Sequence, residues 1–199
     1  MRVTKQRAAE NRERVIEEAA KLFREKGFDG VGVAELMAAA GLTHGGFYNH
    51  FGCKDDVEAA ALGRVFERSV ARIADIATVE DARERARAFE DYCERYVSPA
   101  ARDASAASCP MVAFAGDVSR QGEPVREAYA EGLAAYLRAF TQASAGARAQ
   151  ALREFATLVG ALTLARSVAE RDAGLSEEIL AAARRRAAPC DDEAHGGGS

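Results

Sequence analysis

Val33-Ala34-Glu35-Leu36-Met37-Ala38-Ala39-Ala40-Gly41-Leu42-Thr43-His44-Gly45-Gly46-Phe47-Tyr48-Asn49-His50-Phe51 is the stretch whose reading decides the fold. Val33, Leu36, Met37 and Ala40 recur at three- and four-residue spacing, the mark of one buried face on a two-turn helix. Gly41 supplies a sharp turn, and Thr43 has the residue type that caps a second helix. Two short helices joined by a three- to four-residue turn containing glycine make a helix-turn-helix. Ala38 and Ala39 keep the first helix slim where the second approaches it. In the second helix Phe47 and Phe51, four apart, point inward and leave His44, Gly45, Tyr48 and Asn49 facing out. Gly45 and Gly46 each lower helicity by roughly 1 kcal/mol relative to alanine. Either they ease a turn, or they keep side chains clear of a surface that this helix meets.

Working outward, a helix is expected from about Asn11 to Lys26, with Val15, Ile16, Ala19, Ala20, Leu22 and Phe23 as its apolar stripe. Beyond the turn 52–56, a helix of more than five turns runs to about Ile76, and another spans Val79 to about Pro99. Residues 98–110 read as a low-helicity break, followed by a short apolar segment, Met111–Arg120. Pro124 sits where a helix start tolerates it, opening a helix to about Ser144. A long helix from Gly146 to Ala173 and a final one capped by Ser176 and ending near Arg186 complete an all-α reading of about nine helices. The domains expected are 1–54 for the helix-turn-helix, 55–188 for a larger helical domain and 189–199 for a disordered tail.

Composition narrows the function. Of 199 residues, 48% are hydrophobic and 29% charged, a balance that suits a globular protein and argues against disorder. No apolar run approaches the ~18 residues of a membrane span, so a cytoplasmic protein with no membrane partner is expected. The net charge of −4 conceals an asymmetry: residues 1–54 hold nine Lys/Arg against seven Asp/Glu, and the rest is acidic. A basic head on an acidic body fits contact with a polyanion, though a solvated helix start explains the charge equally well. Cys53, Cys93, Cys109 and Cys190 lack metal-ligand spacing, so neither a metal nor a cofactor is expected. No paired carboxylates with a histidine, no nucleophile beside a base and no phosphate loop can be picked out, so the chain does not read as an enzyme.

The segment from about Arg14 to Asp56 resembles the TetR family of transcriptional regulators. The resemblance rests on Val15 to Phe28, then Val33-Ala34-Glu35-Leu36, Ala40-Gly41-Leu42-Thr43, Phe47-Tyr48-Asn49-His50-Phe51 and Lys54-Asp55, in that order. It implies a homodimer with a three-helix head that binds double-stranded DNA, and a body that binds a small-molecule inducer and dimerises through its last two long helices. Carried over residue by residue, Thr43, His44, Gly45 and Gly46 meet base edges, while Tyr48, Asn49, His50 and Lys54 hold phosphates. Three positions depart from the family pattern: His44 stands where Lys or Arg is common, Gly32 where Ser or Thr caps the second helix, and Cys53 where Ser is frequent. Ligand-independent DNA binding is the alternative within this reading.

Beyond the head the residues speak less distinctly. Phe155, Val159, Leu162, Leu164 and Val168 mark a broad apolar band on helix 146–173, expected either at a dimer interface or in the core. Phe66, Phe89, Tyr92 and Tyr96 could line a cavity for a lipophilic or aromatic ligand, as could Met111, Phe114, Tyr129, Tyr136 and Phe155, or all could be plain core. Cys109, at a helix start, is either a small buried residue or a sensor thiol whose pKa the helix amides lower.

Overall fold

The computed structural model describes residues 5–104 and 109–185; the expected tail 189–199 lies outside them. Among these residues the fold is all-α, with nine α-helices and two 3-10 turns. Helix α1 spans Lys5–Lys26 and α2 spans Val33–Ala39, followed by a 3-10 turn, His44–Asn49. The body holds α3 (Lys54–Ala77), α4 (Ala82–Tyr96), α5 (Pro99–Asp103), α6 (Pro110–Phe114), a 3-10 turn at Val118–Arg120, α7 (Glu123–Ser144), α8 (Arg148–Val168) and α9 (Ala173–Arg185). No described helix is long and apolar enough to cross a membrane.

The head closes over Val15, Ile16, Ala19, Ala20 and Phe23 of α1, joined by Leu36, Met37, Phe47 and Phe51. Gly41 adopts φ +68°, which an L side chain resists, and this sets the angle between α2 and the next segment. Helix α1 begins earlier than its apolar stripe suggests. Strong helix formers carry it back to Lys5, helped by a Gln6–Glu10 side-chain hydrogen bond of 3.0 Å one turn apart.

In the body, α3 and α7 pack along one another and α8 packs on α9. Gly132 of α7 makes the first contact close, because a Cβ there would run into the buried Phe66 ring. Helix ends differ from expectation where local polar groups take over. Helix α4 starts at Ala82 because the Asp81 side chain accepts from the N–H groups of Arg83 and Glu84. Pro99 and the Ser98 hydroxyl, accepting from Ala101 N–H, build the short α5 inside the expected break. Helix α9 starts before Ser176, since Asp172 accepts from Leu175 N–H. Ser176 is buried inside the helix, where it donates to the Ala165 carbonyl of α8 at 2.9 Å.

Candidate nucleic-acid interface and effector cavity

The outward-facing segment after Gly41 is a 3-10 turn rather than an α-helix. Thr43 holds the extended backbone of an N-cap, but its hydroxyl makes no capping bond. Two glycines in a six-residue segment leave too little helical preference to sustain α-geometry, and 3-10 pairing closes it instead. Phe47 and Phe51 anchor it, stacked 5.5 Å apart between centroids and buried. Arg12 lies over the Phe51 ring at 5.0 Å. Thr43, His44, Gly45, Tyr48 and Asn49 are exposed, with Tyr48 73% exposed; Gly46 and His50 are half-buried.

The glycines divide in meaning. A Cβ at Gly45 would meet nothing within 4 Å, so the fold itself does not require glycine there. At Gly46 a Cβ would touch Met37 Cε at 3.5 Å, ordinary packing. Lys54, expected at a phosphate, is also engaged within the fold. Its ammonium donates to the Phe28 carbonyl at 2.6 Å and pairs with Glu58 at 3.0 Å, 5.9 Å above the Phe23 ring. The charge is therefore spent first on holding the head to α3. Cys53 caps α3 weakly through its thiol, and Asp56 compensates by accepting from the N–H groups of Gly52 and Cys53.

In the body, a cavity of about 220 Å3 opens between α3, α4, α5, α6, α7 and α8. Of the aromatic residues expected there, Tyr92, Tyr96 and Tyr136 line it, with Cys109 and Leu162. Phe66, Met111, Phe114, Tyr129 and Phe155 do not. Phe66 packs edge-on against Tyr129, Phe114 stacks on Phe28, and Phe155 nests among Tyr96, Tyr136 and Phe140. Phe89 lines a second space with Cys93, Glu90 and Glu154. The residues missed in the sequence are Ser69, Arg72 and Arg166, which line the first cavity. Arg166 did carry a signal: it is a lone cation within the apolar run from Leu158 to Val168.

The cavity is polar on its walls. Arg166 donates to the carbonyls of Ala101 at 2.6 Å and Arg102 at 3.0 Å. The hydroxyls of Tyr92 and Tyr136 are hydrogen-bonded to one another, and burial pushes the Tyr92 pKa up to about 12. Tyr96 Oη is buried without a hydrogen-bond partner; the thiol of Cys109 beside it is too weak an acceptor to satisfy it. Cys109 does not have the lowered pKa expected of a helix start. Burial raises it and outweighs the lowering effect of the neighbouring Tyr96 hydroxyl and of the Met111 and Val112 amides, so the thiol stays protonated at neutral pH.

The apolar band on α8 also splits. Phe155 and Leu162 are buried within the single chain, which leaves them no surface to offer a partner. Val159 and Val168 are half-buried, and Leu164 is 58% exposed. Leu152 and Leu175 extend the exposed apolar surface along α8 and α9.

Residues 15–61 match the bacterial regulatory proteins of the tetR family. The HTH-type transcriptional regulator AcrR of Shigella flexneri is 33% identical over 75 residues, 38% of this chain and 33% of that protein. The HTH-type transcriptional repressor BepR of Brucella suis biovar 1 (strain 1330) is 39% identical over 64 residues, 32% of this chain and 31% of that protein. The chain thus spans about a third of the length of the curated relatives it matches. Solved structures resemble it over far more of its length. Reduced E. coli NemR superposes with a TM-score of 0.72 at 22% identity, covering 88% of this chain and 96% of that one. A TetR transcriptional regulator from Chloroflexus aurantiacus J-10-FL gives 0.72 at 22%, covering 92% and 94%.

Proposed function

We propose that this chain is a TetR-family, ligand-responsive transcriptional regulator, acting as a repressor, a reading supported by the family match over residues 15–61. It binds a near-palindromic DNA operator as a homodimer and is released by a small-molecule inducer. One observation carries the reading: a polar, glycine-relieved face, Thr43-His44-Gly45 with Tyr48-Asn49, stands exposed on a segment anchored by buried Phe47 and Phe51. Such a face fits a major groove, where short polar side chains and bare backbone reach base edges. Thr43 to Gly46 read bases. Tyr48, Asn49 and His50 hold phosphates, which sets register without reading sequence. Lys54 contributes to phosphate binding through its place at the α3 N-terminus, where backbone amides favour anions.

The exposed leucines of α8 and α9, with Leu164 foremost, are the surface proposed to dimerise; mass by light scattering should be twice that of one chain. Inducer in the body holds the two heads at a spacing that no longer fits successive major grooves. The cavity beside α3 favours this reading over ligand-independent binding.

The test is fluorescence anisotropy with DNA from upstream of the protein's own and neighbouring genes. Specific binding should weaken steeply with salt. His44→Ala should alter preference among operator variants, whereas Tyr48→Phe should weaken all of them alike. Affinity that is indifferent to sequence in the intact protein would sink the proposal.

A further inference from the structure

We propose that the inducer cavity takes a small aromatic monocarboxylate, its carboxylate held by Arg72 and the Tyr96 hydroxyl, with the Arg166 charge nearby. This rests on the ligand-responsive reading above and names the chemistry of its site.

Three observations converge on that class. The first is size. A cavity of about 220 Å3 lies below the ~300 Å3 at which drug-sized pockets begin. It exceeds the ~150 Å3 of an engineered apolar cavity that accepts benzene. One ring with one small substituent is what fits. The second is charge. Two guanidinium groups line the space: Arg72 is exposed at its edge, 3.3 Å from Ser69 Oγ, and Arg166 is half-buried. No Asp or Glu is among the residues lining it. Planar guanidinium donors are suited to a carboxylate, with hydrogen bonds stronger than those to a neutral oxygen. The third is a donor in want of an acceptor. Tyr96 is 9% exposed, its hydroxyl has no partner, and it borders the cavity. An unmet buried donor is costly, and an arriving carboxylate oxygen relieves that cost. Burial keeps this phenol protonated and so a donor at neutral pH.

The remaining wall suits the ring. Tyr92, Tyr136, Leu162 and Ala101 supply aromatic and apolar contact. The second space, near Phe89, is larger but has Glu90 and Glu154 on its walls, and these repel an anion.

The experiment is calorimetric titration of the full chain with benzoate, benzamide, benzyl alcohol and benzylamine, four probes of similar shape and different charge. Benzoate should bind at least tenfold more tightly than benzamide, and benzylamine should not bind. Arg72→Gln and Tyr96→Phe should each weaken benzoate by about tenfold and narrow the benzoate-to-benzamide ratio, which a merely structural role would leave unchanged. Neither variant removes the Arg166 clamp on α5, and melting curves check that both fold. Equal binding of benzamide and benzoate, or no saturable binding of any probe at millimolar concentration, overturns the proposal. Operator anisotropy separates this from the broader reading. If benzoate binds as described but leaves operator affinity unchanged, the anion site stands and ligand-responsive regulation falls. If an uncharged compound releases the operator while benzoate does not bind, the reverse holds.

Discussion

Glu58 shows how a residue can serve two ends of a molecule. It is 2% exposed, and burial, the larger influence, raises its pKa above the ordinary 4.5 against the lowering effect of Lys54. Folded Glu58 therefore holds its proton more tightly than unfolded Glu58. As pH rises from 4.5 through the higher folded value, this residue costs the fold stability, and above that value the cost is constant. Lys54→Ala removes the cation that limits the penalty. At neutral pH it should destabilise the protein by about 1–3 kcal/mol, the cost of stranding a buried charged acceptor. Adding Glu58→Gln to Lys54→Ala should recover most of that loss, and the loss should shrink as pH falls toward 4.5. Denaturant melts of the three proteins across pH check this; a penalty for Lys54→Ala that does not change with pH contradicts the pairing. The same pair was half legible in the sequence. Lys54 and Glu58 stand four apart, but that Lys54 turns inward to the Phe28 carbonyl depends on a chain reversal 26 residues away.

Among the elements, the segment His44–Asn49 was read correctly in position and wrongly in type. Phe51 lies beyond the turn, which ends at Asn49, so the four-residue spacing marked two buried anchors but did not fix the pitch of the chain between them. Helix ends slipped for a related reason: Asp81, Ser98 and Asp172 act through one or two local side-chain bonds that hydrophobic periodicity does not register. The cavity was legible only in its tyrosines. Ser69, Arg72 and Arg166 come from helices far apart in sequence, and only packing brings them together. For the recognition segment, open space around the absent Gly45 Cβ leads to a sharp expectation. Gly45→Ala should leave thermal stability unchanged or raise it by up to about 1 kcal/mol, since alanine restores helical preference. Operator affinity should nevertheless fall at least tenfold, because the new methyl meets the groove. Higher stability with unchanged operator affinity would place Gly45 away from the DNA.

Across the whole molecule, the head reaches the body by two routes of different stiffness. One is α3, continuous from Lys54 beside the head to the cavity, about 22 Å along the axis to Ser69 and about 27 Å to Arg72 at 1.5 Å per residue. Arg64 and Arg68 bind it to Glu13 and Glu17 of α1, which makes this route electrostatic as well as covalent. The other is α6. Cys109, its N-cap, lines the cavity, while Phe114, at its far end, stacks on Phe28 of the head at 4.8 Å and 25°. Four residues thus separate the cavity wall from the ring that stacks on the head, and a shift of α6 moves both. Phe114→Ala should cut the second route and leave the first intact. It removes a fully buried ring, a change that costs about 3–5 kcal/mol in a packed core. If head and body unfold separately, the loss is local to the head. Amide hydrogen exchange in residues 5–51 should then accelerate by about two decades or more, at about 1.4 kcal/mol per decade, while α8 and α9 keep their protection. Uniform acceleration through α9 would mean that head and body unfold as one unit, and α6 could not then act as a separate lever between cavity and DNA-binding face.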